Sequence, residues 1–209
     1  MLAVSAATLL AVSGCQEAKE VSKPKSEDTQ QQKEINHDLK LVSTKIEIAK
    51  DKSRSGGTIL TEGKDKGKHL VPTTIYYEFV LKNTGRHNIG SLDNKRAMTA
   101  SLKADPSLEK KAKETIGFNP FKKSGYDDAS GLGYGQGSVS LLKSHDKGDY
   151  GLSFDIGFTD KNDQDMTMLK ASDEQLDELK KELGNATLIV KEGKKVIGEF
   201  PLNSTKEEQ

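Results

Sequence analysis

Residues 150–158 read Tyr-Gly-Leu-Ser-Phe-Asp-Ile-Gly-Phe, and their spacing is the clearest indication of the fold class. Large apolar side chains take every second position and alternate with small or polar ones. Because successive side chains of a strand point to opposite faces of its sheet, the alternation predicts one buried and one solvated face. Such strands are typical of antiparallel sheets, so we expect a mainly β protein.

Other segments repeat this two-residue period. Residues 75–81 alternate in the same way and end in the turn Asn83-Thr84-Gly85. The apolar positions 39 and 41 have one parity and positions 46 and 48 the other, which predicts a β-bulge between them or a strand that crosses between sheets. Shorter strands are expected at 98–102 and at 139–141, and a hairpin at 187–200.

Two short helices are expected among these strands. Asp105-Pro106 begins the first helix, and Gly117 ends it. The capping residue Ser172 begins the second helix, and Gly184 ends it. About seven strands with two peripheral helices predict an antiparallel β-sandwich over residues 38–204.

The N-terminus carries a separate signal. Residues 2–12 are small and apolar throughout, but a membrane-spanning helix needs roughly 20 such residues, so the segment fits the hydrophobic region of a signal peptide. It runs into Val12-Ser13-Gly14-Cys15, which resembles the lipobox of bacterial lipoproteins. The resemblance implies a signal peptide over residues 1–14, cleavage between Gly14 and Cys15, and a diacylglyceryl group on the Cys15 sulfur.

Three alternatives stay open for this segment: an uncleaved anchor with a free thiol, a chance match, and a signal peptide that starts upstream of Met1. Residues 15–37 are expected to form a disordered polar tether, because few apolar side chains occur among many charged ones. Residues 205–209 form a polar tail. If Cys15 carries two acyl chains, anchoring is durable and the domain lies on the extracytoplasmic face of the cell membrane.

Residues 76–85, which read Tyr-Tyr-Glu-Phe-Val-Leu-Lys-Asn-Thr-Gly, follow a lipobox and a tether. In this arrangement they resemble the Ig-like domains of poorly characterised lipoproteins of Gram-positive bacteria. The resemblance covers residues 38–103 and the last hairpin, but not 105–137. It implies an Ig-like β-sandwich with a binding or structural role and no catalytic residues.

Composition and motifs exclude several functions. The 32 basic and 32 acidic side chains cancel, so we expect no nucleic-acid partner. With 31% charged residues, a mean hydropathy of −0.67 and one cysteine, the chain is neither a multi-pass membrane protein nor a disulfide framework. The two Ser-x-x-Lys matches, at Ser107 and Ser140, lack the Ser-Asp-Asn and Lys-Thr-Gly motifs that accompany a catalytic site, so we expect no enzymatic activity and no cofactor. We expect its four histidines to be exposed: His37, His69, His87 and His145.

Two features favour a metal site as an alternative. The acidic run at 160–165 resembles a calcium loop, but Asp165 stands where an EF-hand requires Gly. Met166 and Met168 offer thioethers suited to Cu(I). A hydrated acidic loop and apolar packing are the competing interpretations, and we expect no metal ligand. A small solute- or metal-binding lipoprotein therefore remains the second candidate function.

Glycine takes every second position from 131 to 137. If this stretch is extended, its glycines share the parity of Val139 and Leu141 and should face the core side of the sheet, where they would leave room for a ligand. The stretch is therefore either a flexible loop or, as the functional hypothesis, one side of a shallow groove rimmed by four aromatic residues. The rim residues are Phe118, Phe121, Tyr126 and Tyr134.

Residues 50–68 hold six basic and three acidic side chains. This stretch is either a solvated surface or a contact for anionic lipid or wall polymer. Taken together, the sequence predicts a non-catalytic binding or structural module of the cell envelope. Its partners would be the membrane, reached through diacylglyceryl-Cys15, and another envelope protein or a wall polymer.

Overall fold

The structure is a computed structural model that describes residues 34–204, except 94, 128, 138, 139 and 161–165. The predicted signal peptide, Cys15, most of the predicted tether and the polar tail lie outside the described residues. So do Val139 of the predicted strand at 139–141 and most of the acidic run.

The described residues form eleven strands and three α-helices. The strands are β1 (Leu39–Ala49), β2 (Thr58–Ile59), β3 (His69–Leu70), β4 (Thr73–Asn83), β5 (Ile89–Gly90), β6 (Met98–Ala104), β7 (Tyr134–Gly137), β8 (Leu141–Leu142), β9 (Lys147–Gly157), β10 (Ala186–Glu192) and β11 (Lys195–Pro201). The helices are α1 (Lys52–Ser55), α2 (Pro106–Ile116) and α3 (Asp173–Glu182).

Two antiparallel sheets make up most of the fold. One has the order β1-β4-β9-β7 and the other the order β11-β10-β6. The remaining strands form the two-residue ribbons β2-β3 and β5-β8. The prediction of a mainly β, sandwich-like fold is confirmed, and the two main sheets together contain seven strands. The short helix α1 was not predicted, because four residues are too few to show a helical period.

The inner faces of the two sheets share one core. On β4 the alternation is complete, with Ile75, Tyr77, Phe79 and Leu81 fully buried and the residues between them half-buried. The inner residues of β9 belong to the same cluster, as do side chains of the second sheet and of α2 and α3. These other members include Tyr150, Leu152, Phe154, Ile156, Met98, Ala100, Leu188, Val190, Leu108 and Leu179.

The change of parity in β1 is a β-bulge. Leu41 lies opposite Leu81, but Ser43 lies opposite Val80, so Val42 is the extra residue. After the bulge, the inner positions of β1 match those of β4 again. The first of the two predicted explanations is therefore correct, since β1 remains in one sheet throughout.

Both longer helices begin where their capping signals predict. Asp105 precedes α2 with Pro106 in its first turn, and Gly117 ends the helix in the left-handed region with φ +93°. Ser172 and Gln175 form the capping box of α3. The Tyr77 hydroxyl donates to the carbonyl oxygen of Leu183 at 3.0 Å and so ties the end of α3 to β4.

The Asn-Thr-Gly turn after β4 is held by a buried amide. The Asn83 side chain is fully buried, and its Nδ2 donates to the carbonyl oxygens of His87 at 2.7 Å and Lys143 at 3.1 Å. Its Oδ1 accepts from the Gly85 N–H at 2.9 Å. Asn83 therefore joins two loops at one end of the sandwich, which gives this motif a structural role.

The described chain enters the domain along β11. The Glu34 N–H donates to the Val196 carbonyl oxygen at 2.9 Å, and the Asn36 N–H donates to that of Ile197 at 2.8 Å. Lys195 Nζ adds an ion pair with the Glu34 carboxylate at 2.8 Å. Residues 34–36 lie in the segment that was predicted to be tether, so backbone pairing begins before residue 38.

Candidate functional site

The glycine-rich stretch contains the edge strand β7. Gly135 lies opposite Ser153, and Gly137 lies opposite Gly151. A Cβ on Gly135 would be 2.5 Å from Ser153 Oγ, and one on Gly151 would be 2.6 Å from the Tyr76 hydroxyl. These neighbours belong to the outer face of the sheet, because the inner residues of β4 and β9 alternate with them.

The prediction that the glycines face the core is therefore wrong. The prediction assumed that residues 131–141 form one continuous strand, in which the glycines and Leu141 face the same side of the sheet. Instead, β7 ends at Gly137, and Leu141 belongs to β8, which pairs with β5. Tyr134 and Gln136 have the inner parity, because they lie opposite Phe154 and Leu152.

A cavity of about 210 Å³ lies on this inner side, between β7 and β6. Leu152 and Phe154 of β9 also line the cavity. Phe121 and its neighbours, from the loop after α2, contribute the remaining side. The full lining is Ala100, Ser101, Leu102, Pro120, Phe121, Lys123, Tyr134, Gly135, Gln136, Leu152 and Phe154.

The structure brings the four predicted rim residues together, and two of them line the cavity. Phe121 and Tyr134 are in the lining, and Tyr134 is 55% exposed. Tyr126 packs against Tyr134 with ring centroids 6.1 Å apart, and Phe118 packs edge-on against Tyr126 at 5.7 Å. Phe118 and Tyr126 therefore lie beside the cavity lining and buttress its rim.

The loop after α2 positions Phe121. Once Gly117 has ended the helix, Asn119 Oδ1 accepts from the Phe121 N–H at 3.0 Å, and Pro120 is buried. This turn sets the Phe121 ring edge-on against Phe154, with centroids 5.3 Å apart. One side of the cavity is thereby attached to β9.

Sequence reasoning found the rim but missed the other walls. Leu152 and Phe154 were predicted only as core, and Ala100 and Leu102 only as strand residues. Finding these walls requires the register between β7 and β9, which places Tyr134 and Gln136 opposite Phe154 and Leu152. That register could not be read from a glycine repeat, which pairs equally well in either parity.

A carboxylate holds the start of the glycine stretch. Asp155 accepts from Thr74 Oγ1 at 2.7 Å and from the Gly133 N–H at 3.1 Å. Burial raises the pKa of Asp155, and these hydrogen bonds oppose the increase. Tyr126 lies near this charge, and burial, followed by the charge of Asp155, raises its pKa far above the usual value. The Tyr126 hydroxyl is buried and finds no hydrogen-bond partner among the described residues.

The outer face of the same sheet carries a wider, polar depression. Its lining includes Gly135, Gly137 and Gly151, and Ser153 Oγ and the Tyr76 hydroxyl lie against the Cα atoms of Gly135 and Gly151. The Arg54 guanidinium lies 6.0 Å from the centre of the Tyr76 ring and also pairs with Glu47 at 2.6 Å. Arg54 belongs to the predicted basic stretch, and its charge is compensated within the protein.

The residues considered for metal binding lie in other places. All four histidines are exposed, as predicted. Met166 and Met168 are half-buried and pack on a small cluster of Leu60, Leu70 and Phe158, which fits the packing interpretation. In the part of the chain that the structure describes, no group of three or more His, Cys, Asp or Glu side chains is placed to hold a metal ion. Residues 161–165 of the acidic run lie outside that part.

Comparisons with protein-family models, with curated proteins and with solved structures found no significant match for this chain. The Ig-like assignment therefore stays a prediction. None of the helices within the described ranges has the length and apolar character needed to cross a membrane.

Proposed function

We propose that this protein is a lipid-anchored, extracytoplasmic binding module without catalytic activity. Its binding surface is the groove formed by the cavity between β6 and β7 and by its rim residues Phe121 and Tyr134. The observation that carries the binding role is this apolar cavity, which opens beside an exposed aromatic residue at the edge of a sheet. Exposed aromatic side chains beside a pocket are typical of sites that contribute most to binding energy.

The size of the cavity favours a macromolecular partner. Sites for whole small molecules measure roughly 300–1,000 Å³. At about 210 Å³ the cavity is smaller, and its size suits one or two side chains of a partner. We therefore favour another envelope protein over a wall polymer or a free solute as the occupant.

The anchor rests on the lipobox. Val12-Ser13-Gly14-Cys15 follows a short apolar segment and precedes a polar stretch. In this proposal Cys15 carries a diacylglyceryl group, and the tether holds the domain near the outer face of the cell membrane. Two acyl chains suffice for stable attachment, whereas one gives marginal binding.

The anchor is tested by expressing the full chain and its Cys15→Ala variant in a Gram-positive host. We expect the wild type in the membrane fraction and the variant in the soluble or secreted fraction. Mass spectrometry of the wild type should show a Cys15 N-terminus heavier by a diacylglyceryl group. An unmodified thiol, or equal fractionation of the two chains, contradicts the anchor.

The groove is tested with Phe121→Ala and Tyr134→Ala. Binding of the unacylated full chain to isolated cell envelopes should fall about fivefold or more, the effect of losing roughly 1 kcal/mol or more of binding energy. Leu92→Ala is the matched control, because Leu92 is 82% exposed and lies outside the cavity lining. Equal binding by all four chains removes the groove from the proposal.

A further inference from the structure

We infer that the groove takes an extended peptide segment of a partner protein, which adds a strand to the edge of β7 that faces away from β9. One apolar side chain of that peptide enters the cavity, and an acidic residue lies beside Lys123. This inference rests on the proposed function and names the class of partner that the groove binds. It follows from the directions of the backbone groups at two strand edges.

The first edge belongs to β7. The Asp155 N–H donates to the Gly133 carbonyl oxygen at 2.9 Å, in the register that β7 and β9 continue. In an antiparallel ladder the residues that bond to the partner strand recur at every second position. Gly135 and Gly137 therefore bond to β9, and the N–H and C=O groups of Tyr134 and Gln136 point away from it.

The second edge belongs to β6, the last strand of the other sheet among those described. The Asp105 N–H donates to the Asn185 carbonyl oxygen at 2.9 Å in the register of β6 with β10. The same alternation directs the backbone groups of Ala100 and Leu102 away from β10. Met98 fits this assignment, because its N–H donates to the Ser140 carbonyl oxygen, outside the sheet.

Among the described residues, neither of these two strand edges pairs with a further strand, and both flank one apolar cavity. An edge strand of this kind can accept an added strand. Natural edge strands are usually protected by charged residues, proline or a bulge. The four residues of β7 are Tyr-Gly-Gln-Gly, which carry no charge and no proline. Gly135 and Gly137 also present no side chains that could obstruct an incoming backbone.

Side-chain selection follows from the cavity lining. A peptide residue opposite Tyr134 or Gln136 has the inner parity, so its side chain points toward Leu152 and Phe154. Among the described residues that line the cavity, Lys123 is the one charged side chain. The favoured peptide therefore combines alternating apolar residues with an acidic residue at the end beside Lys123.

The test uses the full chain in detergent and a heptapeptide with fluorescein on its N-terminal amine, fluorescein-Glu-Val-Thr-Ile-Thr-Val-Thr-amide, whose binding is followed by fluorescence anisotropy. Two further peptides have the same sequence but carry N-methyl groups at alternate residues, one peptide for each of the two registers. We expect the wild type to bind the unmodified peptide and to bind one of the two N-methylated peptides at least tenfold more weakly, because that peptide can no longer donate to β7. The other N-methylated peptide, whose methyl groups lie on the edge facing away from β7, should bind more tightly than the first.

Two substitutions at one position separate backbone from side chain. Gln136→Pro removes an N–H that the β7–β9 pairing does not use, so binding should be lost. Gln136→Ala keeps that N–H and should retain binding within about threefold. Lys123→Glu should weaken binding of the peptide that begins with Glu and strengthen binding of a variant peptide that begins with Lys. If Gln136→Pro does not fold, the N-methylated peptides decide the question on the wild type.

Failure of the wild type to bind at about 1 mM peptide overturns the inference, and so does binding of both N-methylated peptides with the affinity of the unmodified peptide. A dimer of the free protein that Gln136→Pro converts to monomer also overturns it, because the edge would then belong to a second copy. In each case a loss of envelope binding in Phe121→Ala or Tyr134→Ala still supports the groove. Failure of strand addition is thereby distinguished from failure of the proposed function.

Discussion

Phe121 packs edge-on against Phe154, with ring centroids 5.3 Å apart and an interplanar angle of 65°. Phe154 in turn packs edge-on against Tyr77 at 6.1 Å. A side chain at the cavity is thus continuous with the aromatic core of the four-stranded sheet. The cavity is therefore a preformed part of the fold, and changes at Phe121 should affect stability as well as binding.

Phe121→Ala should lower the free energy of unfolding by about 2 kcal/mol. This is less than the 3–5 kcal/mol typical of a fully buried Phe, because Phe121 is half-buried. Urea denaturation followed by circular dichroism measures the change. Phe121→Leu, which keeps apolar volume, should lose less than half as much. Wild-type stability in Phe121→Ala would show that the ring does not pack on Phe154.

Tyr126→Phe should leave stability unchanged or raise it by up to about 1 kcal/mol. The Tyr126 hydroxyl is buried without a hydrogen-bond partner among the described residues, so its removal abolishes a desolvation penalty. Tyr77→Phe is the matched control, because the Tyr77 hydroxyl donates to the Leu183 carbonyl oxygen. That variant should lose about 1 kcal/mol. Thermal and urea unfolding measure the stability of both variants. If Tyr126→Phe is less stable than Tyr77→Phe, the Tyr126 hydroxyl is not an unsatisfied buried group.

Asp155 should contribute a pH-dependent component to stability. Its pKa is raised in the folded chain, chiefly by burial, so the folded state holds this proton more tightly than the unfolded state does. Stability from this group is therefore greatest at low pH and is lost as pH rises from the usual value of 3.8 through the raised folded value. Asp155→Asn lacks this component.

The measurement compares urea denaturation of the wild type and Asp155→Asn from about pH 3 to pH 7. The amide can still accept from the Gly133 N–H and donate to Thr74 Oγ1, so the local contacts are maintained. As pH rises through this window, the free energy of unfolding of the wild type should fall relative to that of Asp155→Asn. Above the folded pKa of Asp155, the difference between the two should stay constant. Parallel stability curves throughout the window contradict the raised pKa.

Asn83→Ala should lower the free energy of unfolding by about 3 kcal/mol or more. The substitution leaves the carbonyl oxygens of His87 and Lys143 without the buried amide that bonds to them. Asn88→Ala serves as the control, because the Asn88 side chain makes one exposed hydrogen bond, to the Ser144 N–H. It should cost less than about 1 kcal/mol. Similar losses in both variants would show that Asn83 does not join the two loops.

The strands and helices could be predicted where local chemistry determines them. The alternation in β9 comes from one face being buried, and the parity change between Leu41 and Ile46 had to become a bulge or a crossing. Capping at Ser172 depends on neighbouring residues, so the sequence contains the whole signal. The eventual choice of a bulge depended on β4, which supplies the register.

The candidate site could be predicted only in part, because its geometry depends on pairing between distant segments. The aromatic rim was recognisable from composition, but the cavity lies between two sheets and is lined by residues about 50 positions apart, such as Leu102 and Phe154. Glycine has no side chain to record which face it occupies, so the parity of Gly135 had to come from its partner Ser153. The early backbone pairing of Glu34 was equally hidden, since that segment is polar and has no apolar pattern.

The place where the chain joins the domain determines how the domain bears force. Glu34 and Asn36 lie along β11, and β10 separates β11 from β6, which forms one wall of the cavity. A pull through the preceding chain acts first on the short contact with Val196 and Ile197, at the far edge of that sheet. In the proposed function, mechanical load therefore enters at β11 whereas the partner binds between β6 and β7, so the attachment point can be stretched while the bound segment stays in place.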